Sequence, residues 1–250
     1  MKFLYLIYHW LIAVPIFVVL TAITAIITSL GSILISYDFF GYWPPHYWSK
    51  LTCWIFFINV KVKGRENIDK KTSYIFVANH QGAFDIFSIY GFLGHNFKWL
   101  MKKSLEKIFL VGTACKNAHH IFVDDSNIAG IKDTIAKAED TLKDGMSLVI
   151  FPEGSRSWDG KMIPFKRGAF MLAGEFNRPV VPVTIEGSFA RLPRFGLSVN
   201  PGRITLTIHK PILPGPKGFN TKQLMAQCRE SIESELNEEN KGVSSGERKN

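Results

Sequence analysis

Short hydrophobic runs alternate with amphipathic stretches along most of this chain. All-apolar runs at 74–78 and 148–151 predict short strands covered on both faces. Weaker runs at 97–101, 121–123 and 180–185 predict three more strands. Residues 204–208 alternate apolar side chains with threonines, which predicts a half-exposed strand.

Apolar residues at spacings of three and four predict helices between these strands. The stripe over 128–142 closes at Asp144 and Gly145, and two further helices are predicted at 168–176 and 221–236. Another follows the 74–78 strand and ends near Gly94. This alternation predicts an α/β fold with a mostly parallel central sheet flanked by helices.

The N-terminus carries an unusually long apolar segment. Residues 3–37 contain no Asp, Glu, Lys or Arg, and about 20 apolar residues are enough to span a bilayer, so we expect a membrane-embedded helical segment. A cleaved signal peptide would have a shorter apolar core and a more basic front end than Lys2 alone. As one helix, 35 residues would measure about 52 Å, beyond the roughly 30 Å hydrocarbon core. The pattern leaves open a single span and a re-entrant hairpin bent at Pro15 or Gly31.

Next comes an aromatic segment, 37–58, broken by Pro44 and Pro45. Trp and Tyr favour the headgroup layer, so this segment is predicted to be interfacial. Several lysines and an arginine follow it, and this positive flank predicts a body on the cytoplasmic side, which we expect to be that of a bacterial inner membrane. Our predicted division is a membrane-embedded and interfacial segment at 1–58, an α/β domain at 59–237 and a disordered tail at 238–250.

The charge and residue composition limit the kinds of ligand that this chain is expected to bind. Lys and Arg exceed Asp and Glu by nine in a chain of 250 residues, which favours phosphate-bearing or lipid anions as partners. Nucleic acid is not expected, because the aromatic residues cluster in the apolar N-terminal segment. The three cysteines are widely spaced and His119-His120 lacks partners at metal-ligand spacing, so no metal site is predicted, and the two histidines are expected on a loop surface.

Two candidate sites follow predicted strands. After the 148–151 strand, Pro152 and Gly154 predict a tight loop that presents Glu153 and Arg156. An Arg fork suits phosphate, and ligands of open parallel sheets sit beyond the carboxyl ends of strands. The alternative is a surface turn with a solvated Glu–Arg pair.

The second candidate site, residues 79–85 (NHQGAFD), follows the 74–78 strand. On one continuous helix His80 and Asp85 would diverge by about 140°. They can meet if His80 lies in the loop and Asp85 in the first helical turn, and a carboxylate on one ring nitrogen makes the imidazole a better base. The alternative is a capping Asn79 beside an incidental histidine. Both sites are predicted to open on one edge of the sheet.

These segments resemble the glycerolipid acyltransferase family, and most of all its lysophosphatidic acid acyltransferases. Residues 79–85 are similar to the family's His-four-residues-Asp motif, and residues 151–157 (FPEGSRS) to its Pro-Glu-Gly motif. Segments 102–105, 164–170 and 181–183 are similar to further family blocks, so the resemblance covers about 60–236.

The resemblance implies an enzyme, a membrane-bound 1-acylglycerol-3-phosphate O-acyltransferase that forms phosphatidic acid in phospholipid biosynthesis. His80 would remove the proton from the acceptor hydroxyl while Asp85 orients it. No acyl-enzyme would be needed. The implied substrate-binding residues are Glu153, Gly154, Ser155, Arg156, Lys102 and Lys103.

The implied partners are a lysophospholipid acceptor, membrane lipid and an acyl thioester, either acyl-coenzyme A or acyl-carrier protein; no cofactor is expected. One block departs from the family, because Asp125 stands where a basic residue is usual. This leaves open an acyltransferase for a different lysophospholipid, or a catalytically silent lipid-binding relative. Asp125 could instead cap the helix that begins near Ile128.

Overall fold

The computed structural model describes residues 2–124, 127–215 and 220–242, and its centre is a seven-stranded sheet in the order β1-β7-β6-β2-β5-β3-β4. Five adjacent strands, from β6 to β4, run parallel to one another, whereas β7 is antiparallel to β6 and β1 is parallel to β7. The strands are β1 (Ile58–Lys63), β2 (Ile75–Ala78), β3 (Phe97–Lys102), β4 (Ile121–Val123), β5 (Ser147–Ile150), β6 (Val180–Glu186) and β7 (Gly202–Ile208).

Helices connect and cover these strands. They are α1 (Lys2–Tyr8), α2 (Val14–Leu34), α3 (Tyr37–Phe40), α4 (Trp43–Ile55), α5 (Phe84–Phe92), α6 (Val111–Asn117), α7 (Ile128–Lys143), α8 (Gly168–Glu175), α9 (Ser188–Arg191) and α10 (Thr221–Glu233). The predicted α/β fold is confirmed, as are the six predicted strands and the four predicted helices of this region.

The central strand β2 separates two hydrophobic cores. Phe76 and Ala78 pack with α4 and α5 on one face, and Ile75 and Val77 pack with α7, α8 and α10 on the other. Successive side chains of a strand point to opposite faces, so a run that is apolar at every position belongs in a strand covered on both sides.

The apolar N-terminus forms one long helix, Lys2–Leu34, made of α1, a π-helical turn at His9–Ala13, and α2. Neither Pro15 nor Gly31 breaks it, so the chain does not turn back within this segment. By length and composition it is the one helix of the described residues that could cross a membrane.

This helix packs lengthwise on the body through one stripe of residues. Buried positions recur about every four residues, and Thr21 Oγ1 accepts a hydrogen bond of 3.0 Å from Trp48 Nε1. Tyr8 donates to the carbonyl of Ile55 at one end, and Ser29 pairs with Asn117 near the other. The buried positions are His9, Ala13, Ala25, Thr28, Gly31 and Ser32. The opposite face is apolar and exposed.

Helix α4 begins at Trp43, with Pro44 and Pro45 in its first turn, where a missing N–H is tolerated. Helix α4 buries Cys53 and Ile55 in the core beside α5, while Trp54 between them is 76% exposed. The segment predicted to be interfacial is thus also part of the core; the predicted domain division stays a prediction.

The structure also bears on the predicted tail and on the predicted surface histidines. Disorder was predicted from residue 238, but Glu238–Asn240 form a short 3-10 helix in which Asn240 donates to Glu186; residues 243–250 lie outside the described part. The surface-loop prediction is wrong for His120, which is buried, and burial lowers its pKa to about 3. Its Nδ1 accepts from the backbone N–H of Trp99. Asp125, and with it the predicted cap or acceptor contact, lies outside the described residues.

Candidate active site

The candidate residues follow three adjacent parallel strands. His80 lies two residues beyond the end of β2, the Pro152–Arg156 loop follows β5, and Lys102 ends β3. Because these strands are parallel, their carboxyl ends share one edge of the sheet, where ligands of α/β folds bind. The prediction that both motifs open on one edge is confirmed.

His80 and Asp85 form a close pair. Nδ1 of the imidazole lies 2.8 Å from Oδ2 of Asp85, which is fully buried in the first turn of α5. The same oxygen accepts the backbone N–H groups of Gln81 at 2.7 Å and Gly82 at 2.8 Å. A loop histidine and a first-turn aspartate meet as the sequence predicted.

This contact fixes the histidine tautomer. A carboxylate can only accept, so Nδ1 carries the proton and Nε2 of the neutral ring is left as the basic nitrogen. The ring stacks on Phe151 with centroids 4.0 Å apart and planes within 9°, and Phe151 stacks in turn on Trp99. The imidazole is therefore held in orientation by one hydrogen bond and one aromatic face.

Glu153 is buried and bonds two backbone N–H groups, while its expected role in substrate binding stays a prediction. Its Oε1 accepts the N–H of His80 at 2.6 Å and its Oε2 accepts the N–H of Ile163 at 2.9 Å. The side chain is only 4% exposed. Burial raises the pKa of this carboxyl to about 8, although the two N–H groups oppose the shift. Glu153 therefore clamps the His80 loop to the segment after the Pro-Glu-Gly turn.

The Gly154–Arg156 turn has the geometry of a ligand loop. Gly154 has a φ of +72°, and a β-carbon there would lie 3.0 Å from Cε of Lys166, so a glycine suits both the backbone and the space. Ser155 and Arg156 are partly exposed at this edge. Among the described residues no carboxylate pairs with the Arg156 guanidinium.

The two lysines after β3 lie farther along the same edge. Lys102 and Lys103 are both exposed, and Nζ of Lys103 lies 3.4 Å from Oδ2 of Asp124 at the end of β4. The structure thus brings six of the eight predicted residues, His80, Asp85 and the turn 153–156, into two contacting loops. Lys102 and Lys103 lie at the end of the neighbouring strand β3.

Further residues that support the site were missed. Asn79 is not a helix cap, which was the alternative interpretation, but exchanges two hydrogen bonds with the backbone of Ile185 in β6. Gln81 donates to the carbonyl of Gly160, and the N–H of Ser157 donates to the carbonyl of His80. Their polar character next to a buried strand was the available signal, because a buried polar side chain requires a partner.

The arrangement provides a base, a cationic turn and an open edge. A neutral imidazole backed by a carboxylate can remove a proton from a hydroxyl, and a guanidinium with its backbone turn can bind a phosphate. Within the described ranges, no group of three or more His, Cys, Asp or Glu residues has metal-binding geometry.

Comparisons with known proteins agree with this chemistry. A sequence model of the family described as Acyltransferase matches residues 59–186. A 1-acyl-sn-glycerol-3-phosphate acyltransferase of Chlamydomonas reinhardtii is 34% identical over 184 residues, which cover 72% of this chain and 54% of the relative. One from Saccharomyces cerevisiae is 36% identical over 159 residues, covering 62% and 52%.

A solved structure is also similar. The crystal structure of the 1-acyl-sn-glycerophosphate (LPA) acyltransferase PlsC from Thermotoga maritima superposes with a TM-score of 0.67 at 32% identity, covering 76% of each chain. The present chain spans about half the length of the first curated relatives that it matches.

Proposed function

This chain belongs to the acyltransferase family, and on that premise we propose that it transfers an acyl chain from a thioester to the free hydroxyl of 1-acylglycerol 3-phosphate, giving phosphatidic acid. The observation that carries the proposal is the His80–Asp85 pair, whose free Nε2 lies on the same sheet edge as the Arg156 turn. The names of the relatives support the choice of acceptor.

The proposed reaction is a direct transfer of the acyl group from the thioester sulfur to the acceptor oxygen. Nε2 of His80 takes the proton of the acceptor hydroxyl, the oxygen bonds to the thioester carbonyl carbon, and the carbon–sulfur bond breaks. The leaving thiolate then takes the proton from the imidazolium. Asp85 stabilises that imidazolium and holds the ring in place. General-base assistance of this kind contributes typically about 10²–10⁴ in rate, and positioning contributes the rest.

Phosphate recognition is assigned to the turn after β5. Arg156 would contact the acceptor phosphate, with Gly154 and Ser155 lining the turn and Lys102 or Lys103 adding positive charge. Glu153 would support the site indirectly, because its carboxyl group accepts the backbone N–H groups of His80 and Ile163. The donor would be acyl-coenzyme A or acyl-carrier protein as a co-substrate, with no metal or bound cofactor.

We also place the protein on a membrane. The exposed face of the long helix carries large apolar residues, and the aromatic outer face of α4 lies nearby in the fold. Since the helix packs lengthwise on the body, the proposal is that its apolar face lies in the lipid while the active site meets the lipid surface. The exposed residues include Leu11, Val18, Val19, Ile23, Ile26, Leu30 and Ile33. The cytoplasmic side of a bacterial inner membrane stays a prediction.

An acceptor panel tests the proposed function. The purified protein is given lysophosphatidic acid, lysophosphatidylcholine, lysophosphatidylethanolamine or lysophosphatidylglycerol, each with acyl-coenzyme A and with acyl-carrier protein. We expect lysophosphatidic acid to have the highest kcat/KM. A higher value for another lysolipid would move the acceptor assignment to that lipid, and no transfer with any pair would support a catalytically silent relative.

A further inference from the structure

A cation outside the family-like motifs lies against the active-site turn. Arg194 lies in the loop between α9 and β7, and its Nη1 donates to the backbone carbonyl of Arg156 at 3.0 Å. The same loop touches the histidine loop, because the N–H of Ala83 donates to the carbonyl of Leu192. A β-carbon on Gly82 would come within 2.9 Å of the carbonyl oxygen of Leu192, so this loop packs closely beside the histidine loop.

The guanidinium of Arg194 is held in place by an aromatic side chain. Its central carbon lies 4.3 Å from the ring centroid of Trp158 and 5.6 Å from that of Phe195. Such stacking limits the rotamers of a long side chain and leaves the edge of the planar fork free to donate. One donor is used on the Arg156 carbonyl, and the other N–H groups of the fork have no acceptor within the described ranges.

The positive charges of Arg156 and Arg194 are not neutralised by a neighbouring acid. Across the described residues, neither side chain forms an ion pair with a carboxylate. An anion within reach of both guanidinium groups would be attracted by two positive charges. A phosphate monoester carries enough charge and enough acceptor oxygens for two forks.

We propose that Arg194 is a second phosphate-binding residue, which with Arg156 forms a two-guanidinium clamp on the phosphate of the acceptor. This rests on the proposed function and adds to it a residue that selects a monoester dianion over a zwitterionic headgroup. The clamp draws on two separate loops, so it forms only when the α9–β7 loop is packed on the histidine loop.

A competing use of the same cluster is membrane contact. Trp158 is 67% exposed and Phe195 66% exposed, and an aromatic pair beside an arginine also suits a headgroup layer. The Arg194 hydrogen bond to the Arg156 carbonyl favours the acceptor site, because it fixes the cation on the turn that follows β5.

Kinetics of Arg194→Met and Arg194→Lys in the full chain decide between these uses. In detergent micelles we expect Arg194→Met to raise the KM for lysophosphatidic acid roughly tenfold to a hundredfold, the range for a lost charged hydrogen bond, and to leave the KM for the thioester unchanged. The KM of Arg194→Lys for lysophosphatidic acid should lie between those of the wild type and Arg194→Met, since a lysine keeps the charge but not the planar fork of donors. Inhibition by sn-glycerol 3-phosphate, a soluble phosphate with no lipid chain, should weaken in parallel.

Lys222→Met is the matched control, because it removes one exposed cation at the start of α10 and should change neither KM. An unchanged KM for lysophosphatidic acid in Arg194→Met, or in Arg194→Lys if the methionine variant does not fold, overturns the clamp. So does a loss confined to liposome binding. In either case the wild-type rate with lysophosphatidic acid still reports separately on the proposed function.

Discussion

At the scale of single residues, Glu153 is a motif side chain whose two carboxyl oxygens are both bonded to the backbone. It lies between the backbone N–H groups of His80 and Ile163, and burial raises its pKa to about 8. An unfolded glutamic acid titrates near 4.5. The folded protein therefore binds this proton more tightly than the unfolded chain does, over the range between those two values.

This shift predicts how stability depends on pH. With a raised folded pKa, the contribution of Glu153 to the free energy of unfolding is fully present below about pH 4.5 and is lost as pH rises through about 8. Between pH 5 and 7.5 the wild type should lose up to about 1.4 kcal/mol per pH unit relative to Glu153→Gln, which cannot titrate. Denaturant melts of both proteins across that range check it. Parallel curves for the two proteins would contradict the prediction.

The contact between His80 and Asp85 was predictable from sequence, whereas the hydrogen bonds of Glu153 were not. At a five-residue spacing the two side chains can meet only if the histidine is in the loop and the aspartate in the helix, and the structure has both. The partners of Glu153 are backbone N–H groups from residues 73 positions earlier and 10 later. Every residue offers such a donor, so no side-chain pattern marks them.

At the scale of elements, the packing of the long helix depends on small residues where it touches the body. Gly31 in α2 faces the ring of Phe40, and a β-carbon there would lie 2.1 Å from the nearest ring atom. A side chain at this position must push α3 or the helix away, and so would loosen the junction between the N-terminal helix and the domain.

Gly31→Leu is therefore expected to lower the free energy of unfolding by about 1–3 kcal/mol, the usual range for overpacking. Gly174→Leu is the matched control, because Gly174 is also helical and a β-carbon there would have no heavy atom within 4 Å. Thermal melts in the same detergent compare the two. Equal stability of both variants would mean that the junction is not tightly packed.

The strand β1 was missed although its signal was present. Residues Ile58–Lys63 alternate apolar and polar side chains with a period of two, and the apolar ones face the core. Because an aromatic segment predicted to be interfacial runs up to Ile58, this short alternation is easily taken for its continuation. Helix α4 was likewise obscured by Pro44 and Pro45, which begin the helix rather than break it.

At the scale of the whole molecule, the sheet and the long helix place the active site and the apolar surface on one body. The alternation of strands and helices predicted the parallel part of the sheet, but β7 returns antiparallel to β6 and brings β1 to the edge. Connection direction depends on loop geometry over 193–201, which local patterning does not encode.

The proposed membrane attachment makes a prediction about one face of the helix. Val18→Glu with Ile26→Glu puts two charges on the exposed face, where each costs about 2 kcal/mol or more within hydrocarbon. We expect the double variant to stop floating with anionic liposomes while keeping its melting temperature in detergent. Ile131→Glu, on the exposed side of α7, is the control and should float normally. Unchanged flotation of the double variant would refute attachment through this face.

The central claim is that His80 is the general base of acyl transfer, and one comparison tests it most directly. The initial rate of phosphatidic acid formation from lysophosphatidic acid and an acyl thioester is measured for wild type and His80→Ala at saturating substrates. The variant loses the contacts of the imidazole with Asp85 and Phe151, so a melting curve checks that it is folded, and the rate should fall roughly 10²–10⁴-fold because the proton acceptor is lost. A folded His80→Ala protein that forms phosphatidic acid at a near-normal rate would contradict the account.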